Sequence, residues 1–127
     1  MTSISLSASN TAEATQLPDE VTKRRFGGLE RLYGVGGAQR IRDAHVVVVG
    51  VGGVGSWTAE ALARSGVGQL TLVDLDHVAE SNINRQIHAV STTVGQAKVL
   101  AMRDRIALIN PGCVVHCIED FVDPENW

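Results

Sequence analysis

The sequence predicts an α/β fold built on a doubly wound, mainly parallel sheet, and three observations support this prediction. Four consecutive valines, residues 46–49, run into a glycine-rich stretch, as a buried parallel strand does before a helix. Two further short apolar segments, residues 69–74 and 113–118, have the length and composition of strands. Helical patterns separate the three segments, and this alternation is typical of a parallel sheet with helical crossovers.

The N-terminal part is predicted to contain a leader and two short helical pieces. Residues 1–22 are expected to form a disordered leader, because they begin with a stretch rich in Ser, Thr and Ala. In the basic segment that follows, Gly27 and Gly28 are expected to interrupt the helix, and a helical turn then reaches Leu32. A second short helix is expected over residues 36–43.

The remaining elements are predicted in the order strand, helix, strand, loop, helix, strand. The longer helix has an apolar face, because apolar residues recur along it with helical spacing from Val99 to Ile109. The predicted bounds are residues 45–50, 53–65, 69–74, 75–93, 96–109 and 113–118. This order is the first mononucleotide-binding half of a Rossmann-like doubly wound sheet, so we expect only that half in this chain. Residues 23–127 are therefore expected to be the N-terminal part of a domain that is incomplete at its C-terminus.

Composition and charge restrict the class of protein. The chain has 127 residues, a size for one domain, and a net charge of −3. Residues 23–43 are basic, which indicates either a solvated surface or a cationic arm near phosphates. The spacing of Cys113 and Cys117 is not that of a zinc site and favours buried strand cysteines, so no metal ligand is assigned. A secretory signal and a membrane-spanning stretch are not evident, and a cytoplasmic protein is expected.

The glycine-rich stretch GVGGVG predicts a phosphate-binding turn between a strand and a helix. Gly50 suits a tight turn, Gly52 with Gly53 allows a phosphate to approach the backbone, and Gly55 allows close packing of helix on strand. Free backbone N–H groups and the helix dipole then face the anion. The alternative is a turn that needs glycine for backbone reasons alone.

An acidic residue closes the second predicted strand. Asp74 lies 24 residues after Gly50, at the spacing of a carboxylate that accepts hydrogen bonds from ribose hydroxyls. Asp76 follows two residues later and is either a second site carboxylate, for a ribose or a cation, or a solvated turn residue.

Polar residues after the second strand distinguish between kinds of nucleotide. The sequence SNINRQ, residues 81–86, contains Asn82, Arg85 and Gln86, and Lys98 follows 13 residues after Arg85. A guanidinium and an ammonium suit a triphosphate, and they favour an enzyme that expels pyrophosphate over a dehydrogenase. The alternatives are a surface ion pair for Arg85 and a solvated helix position for Lys98.

Taken together, these motifs resemble the adenylating superfamily of ThiF, MoeB and the ubiquitin-activating enzymes. The resemblance is carried by GVGGVG, DLD, SNINRQ and the AK pair at residues 97–98. Within the superfamily, RRFGGLERLYG, GSWTAEALARSGVG, NINRQIHA and INPGC resemble the branch that dehydrates threonylcarbamoyladenosine in tRNA. The similarity runs from about Arg24 to the end of the chain.

The resemblance implies a set of roles in an ATP site. Arg85 and Lys98 would contact the phosphates, with Asn82 and Gln86 lining the site. The glycine loop would contact the adenylate phosphate, and Asp74 would bind the ribose. The implied cofactors are ATP and Mg²⁺, and the aspartate that binds the metal is expected beyond residue 127.

The resemblance also implies an activity and partners. The expected reaction is ATP-dependent adenylation of a carboxylate that cyclises threonylcarbamoyladenosine in tRNA. The expected partners are tRNA, a second copy in a homodimer whose Arg25 or Arg31 reaches the neighbouring nucleotide, and a protein of the sulfur-relay type. The alternatives are an NAD-dependent oxidoreductase and an inactive nucleotide-binding or dimerisation fragment.

Overall fold

A computed structural model describes residues 11–12 and 17–127 of the protein. Its elements in chain order are β1 (Thr11–Ala12), α1 (Asp19–Arg42), β2 (His45–Val49), α2 (Gly55–Arg64), β3 (Gln69–Val73), a 3-10 helix (Glu80–Asn82), α3 (Lys98–Ile109) and β4 (Val114–Ile118). Residues 1–10 and 13–16 of the predicted leader lie outside the described residues. The described remainder of that segment contains β1 and the beginning of α1.

The four strands form one sheet in the order β1-β4-β3-β2. Strands β2, β3 and β4 are parallel, with His45 opposite Gln69 and Gln69 opposite Val114. The predicted α/β fold with a parallel sheet is therefore confirmed. The short strand β1 pairs antiparallel with β4, and two residues are too few to show a strand pattern in the sequence.

The predicted interruption of the first helix at Gly27 and Gly28 is wrong. Both residues are inside α1, which instead kinks at Gly34, where φ is 77° and ψ is 165°. A glycine within a helix costs only about 1 kcal/mol relative to alanine, and tertiary packing overrides such a cost. Phe26 and Ala38 are buried on either side of the kink and hold the two pieces of the helix against the domain.

Helices α2 and α3 pack side by side on one face of the sheet and form the core with it. The core residues they share with the strands include Ala59, Ala63, Val99, Met102, Ile106, Leu70, Leu72 and Val115. Cys113 and Cys117 are buried in this layer, as the alternation along the strand predicts. Burial raises the pKa of the Cys113 thiol to about 11 and that of Cys117 to about 12, so both thiols stay protonated near neutral pH.

The opposite face of the sheet is open at β2. The side chains of Val47 and Val49 remain about half exposed there. None of the helices in the described part of the chain has both the length and the apolar composition that a membrane crossing requires. The carboxyl ends of β2, β3 and β4 lie along one edge of the sheet, where parallel α/β folds bind their ligands.

Candidate functional site

The glycine loop between β2 and α2 depends on glycine at both of its ends. Gly50 has a φ of 87°, which side chains disfavour, and its N–H donates to the carbonyl oxygen of Val73 at 2.7 Å. A Cβ on Gly55 would overlap the carbonyl oxygen of Gly50. Gly50 therefore provides the turn and Gly55 the close approach, as the spacing of these glycines predicts.

The centre of the loop offers backbone donors to an anion. The N–H of Val51 donates to Oδ2 of Asp74 at 2.7 Å, and the N–H of Ser56 donates to the Gly52 carbonyl at 3.0 Å. The N–H groups of Gly52, Gly53 and Val54 donate to no other described residue. They lie at the beginning of α2, where the helix dipole favours negative charge.

Asp74 has a role in the loop that the sequence analysis missed. Its Oδ2 atom accepts from Val51, and its Oδ1 atom accepts from the N–H of Asp76 at 2.7 Å. The carboxylate thus ties the end of β3 to the glycine loop. Each carboxylate oxygen has a second lone pair, so hydrogen bonds from a ribose remain compatible with this position.

A cavity of about 410 Å³ opens at the carboxyl ends of the strands. Its lining residues are Val49, Gly50, Val73, Asp74, Leu75, Asp76, Asp120, Phe121 and Val122. Apolar walls suit a base, and carboxylates suit hydroxyl donors, whereas their negative charge disfavours phosphate. Asp120 and Phe121 were not predicted as site residues, although the rule that ligands bind beyond strand ends could have found them because they closely follow β4.

Arg85 lies against the glycine loop. Its Cδ and Nε atoms are 3.8 Å from the position that a Cβ of Gly53 would occupy. Its Nη1 atom donates to the Ser81 carbonyl at 3.0 Å and to Oδ1 of Asn84 at 3.1 Å. The side chain is exposed and forms no ion pair with a described residue, so Nε and Nη2 are available to a phosphate.

Lys98 is the first residue of α3 and is only 7% exposed. Its N–H donates to the carbonyl of Asp76 at 3.0 Å, which joins the helix to the segment after β3. Within the described residues its ammonium has no ion-pair partner. Burial of a cation costs desolvation free energy, and the positive end of the helix dipole repels a cation at a helix N-terminus. A bound anion would offset both costs.

Asn82 and Gln86 occupy buried positions in the segment between β3 and α3. Oδ1 of Asn82 accepts from the N–H of Ala79 at 2.8 Å, and its carbonyl accepts from the N–H groups of Arg85 and Gln86. Asn82 thereby shapes the turn that presents the two following site residues. Gln86 places its Nε2 atom 3.8 Å from the position of a Cβ on Gly52, next to the glycine loop.

His88 is a residue of this site that the sequence analysis missed. It is 2% exposed, and its Nε2 atom lies 2.7 Å from the carbonyl of Val51, to which it donates. Burial lowers the pKa of His88, and the positive charge of Lys98 lowers it further. His88 belongs to a polar loop without helical or strand periodicity, so no sequence pattern indicated that it would be buried.

Two buried acceptors beside the loop have no partner within the described residues. They are Oε1 of Gln86 and Nδ1 of His88. Unpaired buried polar atoms are rare in folded proteins and are concentrated at sites that bind a ligand or water. The described residues contain no group of three or more His, Cys, Asp or Glu side chains placed to hold a metal.

The structure places Arg25 away from the cavity of its own chain. Nη1 of Arg25 donates to the carbonyl of Ile109 at 3.0 Å, at the C-terminal end of α3. That end of α3 leads into β4 and lies at the amino edge of the sheet. Arg31 is exposed and does not line the cavity.

Comparisons with known proteins agree with this geometry. The model of a family described as the ThiF family matches residues 25–127. A tRNA threonylcarbamoyladenosine dehydratase of Haemophilus influenzae is 54% identical over 104 residues, which cover 82% of this chain and 40% of the relative. The Escherichia coli protein of the same description is 56% identical over 104 residues, covering 82% and 39%.

A solved structure extends the likeness to three dimensions. The crystal structure of E. coli tRNA N6-threonylcarbamoyladenosine dehydratase in complex with ATP matches with a TM-score of 0.82 and 52% identity. The match covers 87% of this chain and 45% of that chain. The chain thus spans about two fifths of the length of the curated relatives named above.

Proposed function

The chain belongs to the ThiF family, and from this premise we propose that it binds ATP for the adenylation of a carboxylate. The observation that carries the proposal is the separation of charge about the glycine loop. Carboxylates and apolar side chains line the cavity, whereas Arg85 lies against the glycine loop itself. Lys98 is buried next to Asp76, and neither cation has an ion-pair partner among the described residues. This arrangement suits a nucleoside in the cavity and its phosphates over the loop.

The proposed assignment gives each part of the nucleotide its own contacts. The base packs between the apolar walls, and the ribose hydroxyls donate to Asp74 and Asp76. The phosphates accept from the free N–H groups at the start of α2 and from Arg85 and Lys98. Mg²⁺ would neutralise charge on the same phosphates, and the described residues do not form a complete site for it.

We further propose that the acid to be activated is threonylcarbamoyladenosine in tRNA, as in the relatives described by that activity. A carboxylate oxygen forms a bond to the α-phosphorus, the bond to the bridging oxygen breaks, and pyrophosphate leaves with the electron pair. An internal N–H nitrogen of the modified nucleoside then attacks the acyl-adenylate carbonyl, the bond from that carbon to the AMP oxygen breaks, AMP leaves with the electron pair, and the nitrogen gives up its proton to solvent as the ring closes. Arg85 and Lys98 stabilise the charge that develops on the leaving oxygens, and positioning supplies much of the remaining rate.

A homodimer is part of this proposal. Leu32, Tyr33 and Val35 lie at the kink of α1, and their side chains are 55–70% exposed, an apolar patch that a second copy would cover. The adjacent Arg31 is exposed beside this patch and is the better placed of the two arginines predicted to reach a partner. Arg25 is already bonded to α3 within its own chain.

The double variant Arg85→Ala/Lys98→Ala tests the proposed function. We expect ATP affinity to fall by about two orders of magnitude, because two charge-assisted contacts are lost. Calorimetric titration with ATP measures the effect, and pyrophosphate release with tRNA carrying threonylcarbamoyladenosine measures the reaction. A matched control, Lys23→Ala/Arg24→Ala, removes the same charges from exposed positions on α1 and should bind ATP normally.

Two results would contradict the proposal. One is unchanged ATP affinity in the double variant. The other is tight binding of NADH by the unmodified protein without any binding of ATP, which would favour hydride transfer instead.

A further inference from the structure

An exposed tryptophan contacts the candidate phosphate-binding arginine. Trp57 lies in the first turn of α2 and is 51% exposed. Its indole Nε1–H donates to the main-chain carbonyl of Arg85 at 2.7 Å. The two residues are 28 positions apart in the sequence, so this hydrogen bond joins α2 to the segment between β3 and α3.

The neighbouring residue of α2 reinforces the same connection. The Oγ atom of Ser56, which is fully buried, accepts a hydrogen bond from the N–H of Ile87 at 3.4 Å. Ser56 and Trp57 therefore hold the main chain on both sides of Gln86. Because α2 begins at the glycine loop, the helix that presents the loop also holds the arginine that lies over it.

The Arg85 guanidinium has side-chain hydrogen bonds only to its own segment among the described residues. The side chain of Arg85 is long and flexible. Its guanidinium donates to described residues only through Nη1, to the Ser81 carbonyl and to Oδ1 of Asn84, and both acceptors belong to the same segment as Arg85. Those bonds move with the segment and do not fix it relative to the loop. The Trp57 hydrogen bond is a connection to a different element, and it fixes the Arg85 backbone directly.

We propose that Trp57 is a positioning residue, which sets the main chain of Arg85 and thereby holds its guanidinium over the glycine loop to receive phosphate. This inference rests on the proposed function, because it requires Arg85 to contact ATP phosphates. The tryptophan acts through Arg85 and touches no reacting atom.

The variant Trp57→Phe tests the proposal, because it keeps an aromatic ring and removes the N–H donor. We expect the affinity for ATP to fall roughly three- to tenfold, the range for loss of one hydrogen bond. The affinity for adenosine, which has no phosphates, should stay unchanged, and competition titrations measure both. Trp57→Tyr removes the same donor and should agree, and Trp127→Phe is the matched control at the other exposed tryptophan.

A double-mutant cycle separates positioning from a general structural effect. In an Arg85→Ala background, Trp57→Phe should cause no further loss of ATP affinity, because the guanidinium that it positions is absent. A further loss of the same size, an equal loss of adenosine affinity, or unchanged ATP affinity in the single variant would overturn the inference. If Arg85→Ala alone leaves ATP affinity unchanged, the phosphate role of Arg85 in the proposed function fails instead.

Discussion

The two ends of the sheet differ in whether their buried polar side chains are fully hydrogen-bonded. At the amino end, the Asn110 side chain is buried and its Nδ2 donates to the carbonyls of Ala63 and Val67, both at 3.2 Å. At the carboxyl end, Gln86 and His88 are equally buried and each retains an acceptor without a partner among the described residues. Buried polar groups at the amino end stabilise the fold, and the unpaired acceptors at the carboxyl end support the proposal that a ligand binds there.

In the helix layer between the two ends, the buried polar side chain of Glu60 is paired, as that of Asn110 is at the amino end. Glu60 is buried and accepts from Arg105 and Arg64, with Nε to oxygen distances of 2.7 Å in both pairs. Burial alone would raise the pKa of Glu60, but the hydrogen bonds and charges of the two arginines outweigh it and the pKa lies below the ordinary value. Lys98, unlike Glu60, is a buried charged residue without an ion-pair partner among the described residues. This unpaired charge supports the proposal that an anionic ligand binds beside it.

The largest expected effect is at the amino end. Asn110→Ala should lower the free energy of unfolding by about 1–3 kcal/mol, because the buried carbonyl of Val67 loses the Asn110 donor and that of Ala63 keeps only the N–H of Gly66. ATP affinity should stay unchanged. Denaturant unfolding measures the first quantity and calorimetry the second. Asn84→Ala, the same substitution at an exposed position, should change stability by less than about 0.5 kcal/mol. Equal losses in the two variants would remove the contrast between the ends.

The next effect separates binding from stability at the carboxyl end. Lys98→Met should leave the free energy of unfolding unchanged or raise it, because a buried charge without a protein partner is removed. ATP affinity should fall at least about tenfold, since a charge-assisted contact is lost. Lys23→Met, at an exposed position, should change neither quantity. A loss of stability above about 1 kcal/mol would show that the Lys98 ammonium is paired within the protein.

The smallest expected effect concerns pH. The pKa of His88 in the folded protein lies below the ordinary 6.5, so between the two values the unfolded chain binds more protons. Its contribution to stability is therefore present above pH 6.5 and is lost as the pH falls toward the folded value. His88→Gln, which can still donate to Val51, should reduce the slope of stability against pH in chemical unfolding.

His116 provides the comparison for that slope. Its pKa is also lowered, by burial and by the charge of His45, so His116→Gln should remove a separate part of the pH dependence. Identical slopes in His88→Gln and in the unmodified protein would show that His88 is not held in its neutral form.

Much of the fold followed from local patterns. The valine run, the glycine spacing and the apolar face of the third helix predicted the parallel strands and their helices, because period and turn chemistry are local properties. The break at Gly27 and Gly28 was predicted wrongly, because packing of Phe26 outweighs the modest helix penalty of glycine. The position of the kink at Gly34 is a property of the folded domain.

By itself, the sequence determined the class of fold, and it predicted a phosphate-binding glycine loop with Arg85 and Lys98 as candidate cations. Only the tertiary structure decided which groups support them: Trp57 under Arg85, His88 on the Val51 carbonyl and Asp74 on the loop backbone. The reason is physical. Strand and helix periods repeat within about ten residues, whereas these contacts join residues 23 to 37 positions apart. Burial, which leaves Lys98 without a described partner and lowers the pKa of His88, exists only once the chain has folded.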